Sequence, residues 1–295
     1  MSNDNLKGIF APISTPFKDD QTIDTDALSF NMERYAASGI NGYLALGSNG
    51  ENKSLTFDEK REVLKTIVKR KNESQIIMAG CIAESNKETI ELVKMSEDEG
   101  ADYITLLPPS YFKKQMTEDV LLKYFSDIAD NANKPCLIYN APQYSAGISL
   151  STSLMVKLSK HENIVGMKDS LGSNINSYLL FMPEDFKIIA GSANFLISAL
   201  ETGACGGIIS FANYLPEVAC NLFRLYTEKK YSEYIDLNKK ILKISAVISG
   251  SGGVSAVKAA MDITGFKGGY PRLPLLPLDN EGKNQIKNEL KEIRL

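Results

Sequence analysis

Asn163-Ile164-Val165-Gly166-Met167-Lys168-Asp169-Ser170 is a short apolar run that ends on a lysine. Its first half has the length and β-branched content of a buried strand, and its polar end marks where that strand leaves a core. A lysine at that place is costly. Lysine is seldom fully buried without a partner, and desolvation disfavours its ammonium form, lowering the pKa toward values at which a free amine exists near neutrality. A free amine can attack a ketone. Two structural readings stand beside that one: the head of Lys168 reaches solvent just past the strand, or it pairs with Asp169.

Working outward, the same pattern recurs from end to end. Strand candidates are Ile9 to Ile13, Gly42 to Leu46, Gln75 to Gly80, Tyr103 to Leu107, Cys136 to Tyr139, Ile164 to Lys168, Lys187 to Ala190 and Gly207 to Ser210. Amphipathic segments alternate with them, such as Asp26 to Ser38, Phe57 to Lys71, Asn86 to Glu99, Glu118 to Asn131 and Thr152 to Lys160. Several close on a turn glycine, Gly39, Gly100 and Gly203, as helices commonly do. Eight βα units within about 220 residues fit an α/β fold of the TIM (β/α)8 barrel type better than an open doubly wound sheet. The expected organisation is a barrel catalytic domain over 1–214, then the last barrel helix and a helical C-terminal extension over 215–295.

Composition narrows the function. The 295 residues carry a net charge of −3, with 43% hydrophobic and 23% charged residues, which is ordinary globular usage without a basic footprint for nucleic acid. No apolar run approaches the roughly 18 residues of a membrane span, and Met1-Ser2-Asn3-Asp4-Asn5 lacks the regions of a signal peptide, so a cytoplasmic protein is expected. Cys81, Cys136, Cys205 and Cys220 are scattered, which suits reduced thiols rather than disulfides. The single histidine, His161, lies in a polar turn where it is expected to cap a helix end. Histidine triads and histidine-ligated metals are therefore poorly supported, and no metal or cofactor is expected. Gly250-Ser251-Gly252-Gly253-Val254-Ser255 approaches a dinucleotide fingerprint, but its last small residue is serine and no acidic residue follows about 20 positions later. It reads as a turn between helices.

Barrel active sites collect at the C-terminal ends of the strands. Those ends carry Ser14-Thr15-Pro16-Phe17, Gly47-Ser48-Asn49-Gly50-Glu51, Pro108-Pro109-Ser110-Tyr111, Tyr139-Asn140-Ala141-Pro142, Lys168-Asp169-Ser170, Gly191-Ser192-Ala193 and Ser210-Phe211-Ala212-Asn213. An amine, two phenols, hydroxyls and glycine-rich backbone suit imine chemistry on a small 2-oxo acid. Lys168 would attack the ketone, the protonated imine would stabilise a neighbouring carbanion as an enamine, and Tyr139 would relay protons. Gly47 to Gly50 would offer backbone donors and a hydroxyl to a carboxylate. Singly, each has a plainer reading: Tyr139 as a core aromatic, Gly47 to Gly50 as a turn, Tyr111 as a loop aromatic. The chemistry needs them all at one barrel mouth.

With those motifs assembled, nearly the whole chain resembles the class I aldolases and lyases related to dihydrodipicolinate synthase and N-acetylneuraminate lyase. Gly47-Ser48-Asn49-Gly50-Glu51 is similar to the family's carboxylate-binding loop, Tyr139-Asn140-Ala141-Pro142 to its catalytic tyrosine motif, and Gly166-Met167-Lys168-Asp169-Ser170 to its Schiff-base lysine motif. The resemblance implies an imine between Lys168 and pyruvate or another 2-oxo acid, proton transfer by Tyr139, and a relay through Ser48 and Tyr111. In the family the second tyrosine comes from a neighbouring subunit, so a homodimer or homotetramer is implied. Gly191 and Ile209 match positions that line the pyruvate pocket, and Asn49, Tyr144, Ser170 and Ser192 complete the candidate binding set.

Two departures bear on the second substrate. Family synthases carry an arginine where this chain has Tyr144, and a phenol cannot make arginine's charged bidentate contact. They also usually carry paired threonines where this chain has Ser48-Asn49. The motifs are most similar to the 4-hydroxy-2-oxoglutarate aldolase branch, whose substrate splits into pyruvate and glyoxylate. Dihydrodipicolinate synthesis, cleavage of sialic-acid-type or other sugar acids, and a non-catalytic barrel that binds a 2-oxo acid are the alternatives.

Overall fold

A computed structural model describes residues 3–250 and 252–293. Eight parallel strands close into a barrel in sequence order: β1 Gly8–Pro12, β2 Gly42–Ala45, β3 Ile76–Cys81, β4 Tyr103–Leu106, β5 Cys136–Asn140, β6 Ile164–Asp169, β7 Lys187–Ala190 and β8 Gly206–Ile208. Helices α1 Thr25–Ala36, α2 Phe57–Arg70, α3 Asn86–Asp98, α4 Glu118–Asp130, α5 Thr152–Leu158, α6 Ile175–Phe181, α7 Leu196–Glu201 and α8 Pro216–Thr227 follow the successive strands. The expected barrel is therefore present, with most strand boundaries shifted by one or two residues. The extension comprises α9 Tyr231–Gly250, α10 Val254–Ile263 and α11 Asn280–Lys291. Among the described residues no helix is long and apolar enough to cross a membrane.

Local chemistry fixes the helix starts. Asp24, Thr56, Ser85, Thr117 and Ser151 cap α1 to α5 through side-chain oxygens, and Thr56 with Glu59 forms a reciprocal capping box. The chain leaves α1, α3 and α7 through the expected glycines, each at positive φ. Alternation along the strands then sorts the core into two layers. Phe10, Leu44, Met78, Leu137, Ile189 and Ile208 fill the barrel. Ile9, Tyr43, Ile77, Ile138 and Ile188 face the helices.

One irregularity decides what β6 presents. Cys136 pairs with Ile164, but the next residue, Leu137, pairs with Gly166, so Val165 is an extra residue bulged from the ladder. Beyond the bulge Tyr139 lies opposite Lys168 and Asn140 opposite Asp169. Strand alternation with an unbulged register would turn Lys168 toward the helices. The bulge gives it the same face as Tyr139, toward the barrel axis.

All four cysteines are free. His161 stands at the exit of α5, where its main-chain N–H donates to Leu158 O at 3.0 Å, while its Nδ1 accepts from the Asn163 N–H at 3.2 Å and its Nε2 meets Asp130 at 3.1 Å. Asn163 caps α4, donating to the carbonyls of Ala129 in its last turn and of Ala132 just beyond it. In the Gly250–Ser255 stretch, Gly253 opens α10, while Ser251 lies outside the described residues.

Candidate active site

β5 and β6 bring Tyr139 and Lys168 together at the barrel's C-terminal mouth. The Lys168 side chain is 4% exposed, and its Nζ sits 4.3 Å from the centre of the Tyr139 ring. Neither plainer reading of Lys168 matches this geometry. The head does not reach solvent, and Asp169 faces the other way, accepting from Asn140 Nδ2 at 2.7 Å and from the Gly172 N–H at 2.8 Å. Among the described residues no ion pair or hydrogen bond holds the Lys168 amine. Burial accordingly pushes its pKa down to about 7, so near neutrality a large fraction is unprotonated.

Tyr139 packs with Ile82, Leu107 and Ala141. Burial raises its phenol pKa, opposed by the nearby hydroxyls of Ser170 and Ser48. Those hydroxyls come from separate strand ends. Ser170 donates its main-chain N–H to Asn140 O at 2.9 Å, and its hydroxyl points to Gly191 O at 3.4 Å. A side chain at position 191 would collide with Ser170 Oγ and press on Asp169 O. Glycine there lets the end of β7 close against the end of β6.

Ser48 opens a 3-10 turn, Ser48–Gly50, flanked by two left-handed residues, Leu46 at φ 56° and Glu51 at φ 54°. A helical start leaves main-chain donors without a partner inside the turn, and Ser48 and Asn49 occupy that start. Asn49 Nδ2 donates to Ser210 Oγ at 2.8 Å, Thr15 Oγ donates to Gly50 O at 2.8 Å, and Asn52 Nδ2 holds Leu46 O at 2.7 Å. Left-handed conformations are uncommon for residues with side chains and persist where surroundings enforce them.

For Glu51 the enforcement is a buried ion pair. Lys258, on α10 and 1% exposed, places Nζ 2.6 Å from Glu51 Oε1 and donates to Thr15 O at 2.7 Å and Tyr270 O at 2.6 Å. Glu51 Oε2 accepts from the Arg272 N–H at 2.8 Å. Arg272 in turn grips Glu59 with two 2.7 Å hydrogen bonds. The extension thus fastens the loop that carries Ser48 and Asn49.

A cavity of about 160 Å³ joins Lys168, Tyr139, Ser48, Asn49, Ser170 and Gly191. Ser192 and Tyr144 line it too, as do Gln143, Ser210 and Ser249. An adjoining cavity of about 190 Å³ shares Asn49, Tyr144 and Ser192 and runs outward past Asn194 and Ser245. Apart from Lys168, no charged side chain lines either one among the described residues. Two expected members stand elsewhere. Ile209 is buried beside the cavity wall supplied by Ser210 and does not line it. Tyr111 is 80% exposed and packs edge-on against Phe112, away from the cavity of its own chain.

The signature of the dihydrodipicolinate synthetase family matches residues 5–293. The chain belongs to that family. A Methanosphaerula palustris relative named 4-hydroxy-tetrahydrodipicolinate synthase is 31% identical, covering 94% of this chain and 95% of the relative. A Coccidioides immitis relative, provisionally named a mitochondrial 4-hydroxy-2-oxoglutarate aldolase, is 30% identical over 97% and 95%. The crystal structure of YagE from E. coli K12, a prophage protein of the dihydrodipicolinic acid synthase family in complex with pyruvate, superposes with a TM-score of 0.91 at 26% identity, covering 97% of this chain and 98% of that one. As a dihydrodipicolinate synthetase family member the chain is an enzyme, a lyase of the class I aldolase type.

Sequence reasoning missed several contributors. Ser249 and Ser245 reach the cavities from α9, a helix with no strand-end signal. Lys258 carried a different signal: it is a lone cation in the apolar run Ala256-Val257-Lys258-Ala259-Ala260-Met261, as Lys168 is in its own.

Proposed function

We propose that this enzyme forms a Schiff base between Lys168 and pyruvate or another 2-oxo acid, and cleaves or forms a 4-hydroxy-2-oxo acid, with pyruvate and an aldehyde such as glyoxylate as the partners. The observation that carries the proposal is the unpaired, buried Lys168 amine beside Tyr139 in one cavity. The amine attacks the C2 ketone, and Tyr139 supplies the proton with which the carbinolamine oxygen leaves as water. Loss of the C4 hydroxyl proton breaks the C3–C4 bond, the electron pair entering the iminium to give an enamine, and the aldehyde departs. Protonation at C3 and hydrolysis release pyruvate and the free lysine.

Ser48 continues the proton path from Tyr139. Main-chain donors of Ser48 and Asn49 receive the 2-oxo acid carboxylate, with Ser170, Gly191 and Ser192 around it and Tyr144 toward the aldehyde. The outward, exposed Tyr111 suits a relay completed by a second copy of the chain, and hence a homodimer or homotetramer. Residues 1–214 supply the reacting groups, and within 215–295 the helices α9 and α10 wall the outer cavity through Ser245, Ser249 and Val257. Four free thiols fit a reducing compartment such as the cytoplasm.

One observation favours a second reading. The outer cavity is lined by hydroxyls and amides and offers no cation, which suits the hydroxyl groups of a sugar-derived aldehyde, as in a 2-keto-3-deoxy sugar acid lyase. The absence of a cation at Tyr144 counts against 4-hydroxy-tetrahydrodipicolinate synthesis.

Borohydride trapping with pyruvate, followed by intact mass and peptide mapping, tests the chemistry. A reduced adduct on Lys168 is expected, and an adduct on another lysine, or none, overturns the assignment. Pyruvate release from a panel of hydroxy-oxo acids then separates an aldolase from a barrel that only binds 2-oxo acids, and names the aldehyde.

A further inference from the structure

We propose that Glu84, in the loop after β3, is a positioning residue that sets the presentation of Tyr111 and registers it against the Ser48 turn. The proposal rests on the relay reading of Tyr111 given above. Tyr111 and Phe112 are both largely exposed, so side-chain packing within the chain does little to hold their loop. Glu84 does so through the backbone. Its Oε2 accepts the consecutive N–H groups of Ser110 and Tyr111 at 2.8 and 2.9 Å, and its Oε1 accepts the Ser110 hydroxyl at 3.3 Å. The same Oε1 meets Lys53 Nζ at 2.7 Å, and Lys53 belongs to the turn Asn52–Ser54 that directly follows Ser48–Gly50.

One carboxylate therefore joins the two segments that carry the outer half of the proton path. Burial alone would raise its pKa, but Lys53 and the two N–H donors outweigh burial and bring it to about 2, so the carboxylate stays charged across the working range. The two oxygens divide the labour. Glutamine can keep the Oε2 contacts to Ser110 and Tyr111 while giving up the pairing with Lys53, whereas alanine gives up both.

The test uses pyruvate alone, so it does not depend on the identity of the aldehyde. Exchange of the pyruvate methyl hydrogens in heavy water reports enamine formation and proton transfer. Glu84→Ala is expected to slow that exchange about tenfold, a fraction of the roughly 10²–10⁴-fold that a proton relay contributes, with borohydride trapping on Lys168 retained. Amide exchange in the peptide holding Ser110 and Tyr111 should quicken in the same variant. Glu84→Gln should recover the amide exchange and part of the methyl exchange, the remainder reflecting the lost pairing with Lys53. Adding Tyr111→Phe to Glu84→Ala should slow it little further, because the two changes act through one residue.

Wild-type methyl exchange in Glu84→Ala, a Glu84→Gln variant as impaired as the alanine, or independent multiplying effects with Tyr111→Phe would each overturn the positioning role. Failure of the Schiff-base reading is separately visible as absence of a wild-type pyruvate adduct. The amide exchange of the loop reports the clamp in either case.

Discussion

Two lysines are buried at the mouth of this barrel, and they differ in what surrounds them. Lys258 meets a carboxylate, two carbonyls and the face of Phe17, while the Lys168 amine lies over the Tyr139 ring with no hydrogen-bond or ion-pair partner among the described residues. Burial lowers both, Lys168 to about 7 and Lys258, against the opposing pull of Glu51, to about 8. The contrast separates reactivity from architecture. A buried lysine with its donors occupied holds pieces of chain together, whereas one with its nitrogen unoccupied is kept available.

The comparison breaks most decisively through substitution of the two residues. Lys168→Ala should abolish pyruvate release while the protein stays folded; substantial activity in that variant removes the nucleophile from the proposal. Lys168→Met should also raise stability below about pH 7, since the wild-type fold there must exclude or desolvate an ammonium. The drop from 10.5 to about 7, at about 1.4 kcal/mol per pH unit, caps that gain near ~5 kcal/mol. Lys258→Met should do the reverse, costing about 3–5 kcal/mol by stranding Glu51, and Glu51→Gln added to it should restore part of the loss. Denaturant unfolding of the four proteins decides whether the paired and unpaired lysines truly have opposite signs.

Smaller effects sharpen the contrast. Tyr139→Phe should slow turnover about 10²-fold with pyruvate binding little changed; an unaltered rate would remove its relay role. The pH dependence is smaller again. Trapping of pyruvate should rise with pH up to about 7 and level off above, as Lys168 loses its proton, while the raised pKa of Tyr139 keeps the phenol protonated over that range. Because the unfolded chain binds more protons at this site between about 7 and 10.5, stability should increase with pH across the same window, and Lys168→Met should reduce that increase.

Much of this was readable in the chain because it is written locally. Apolar runs such as Cys136-Leu137-Ile138 and polar strand ends such as Lys168-Asp169-Ser170 declare a strand and its exit without reference to anything distant. Facing is another matter. Alternation along β6 gives no warning of the bulge at Val165, and that one residue settles whether Lys168 meets Tyr139 or the helices. Partnerships across the chain were equally hidden: nothing near Glu51 announces a lysine 207 positions later, nor does Tyr111 announce Glu84. The lone cation among small apolar residues at Lys258 was visible, but a helix lacks the strand-end rule that gave Lys168 its meaning.

The fastening of Glu51 to Lys258 and Arg272 has a consequence in time. Synthesis delivers Ser48, Tyr139 and Lys168 well before the residues that hold the Ser48 turn in its left-handed frame. At roughly 5–20 residues per second, Glu51 waits on the order of tens of seconds for its cation. A nascent chain that has completed all eight strands still has an unsecured substrate loop. The substrate loop is therefore secured only after every barrel strand has been made, by residues that add nothing to the barrel itself.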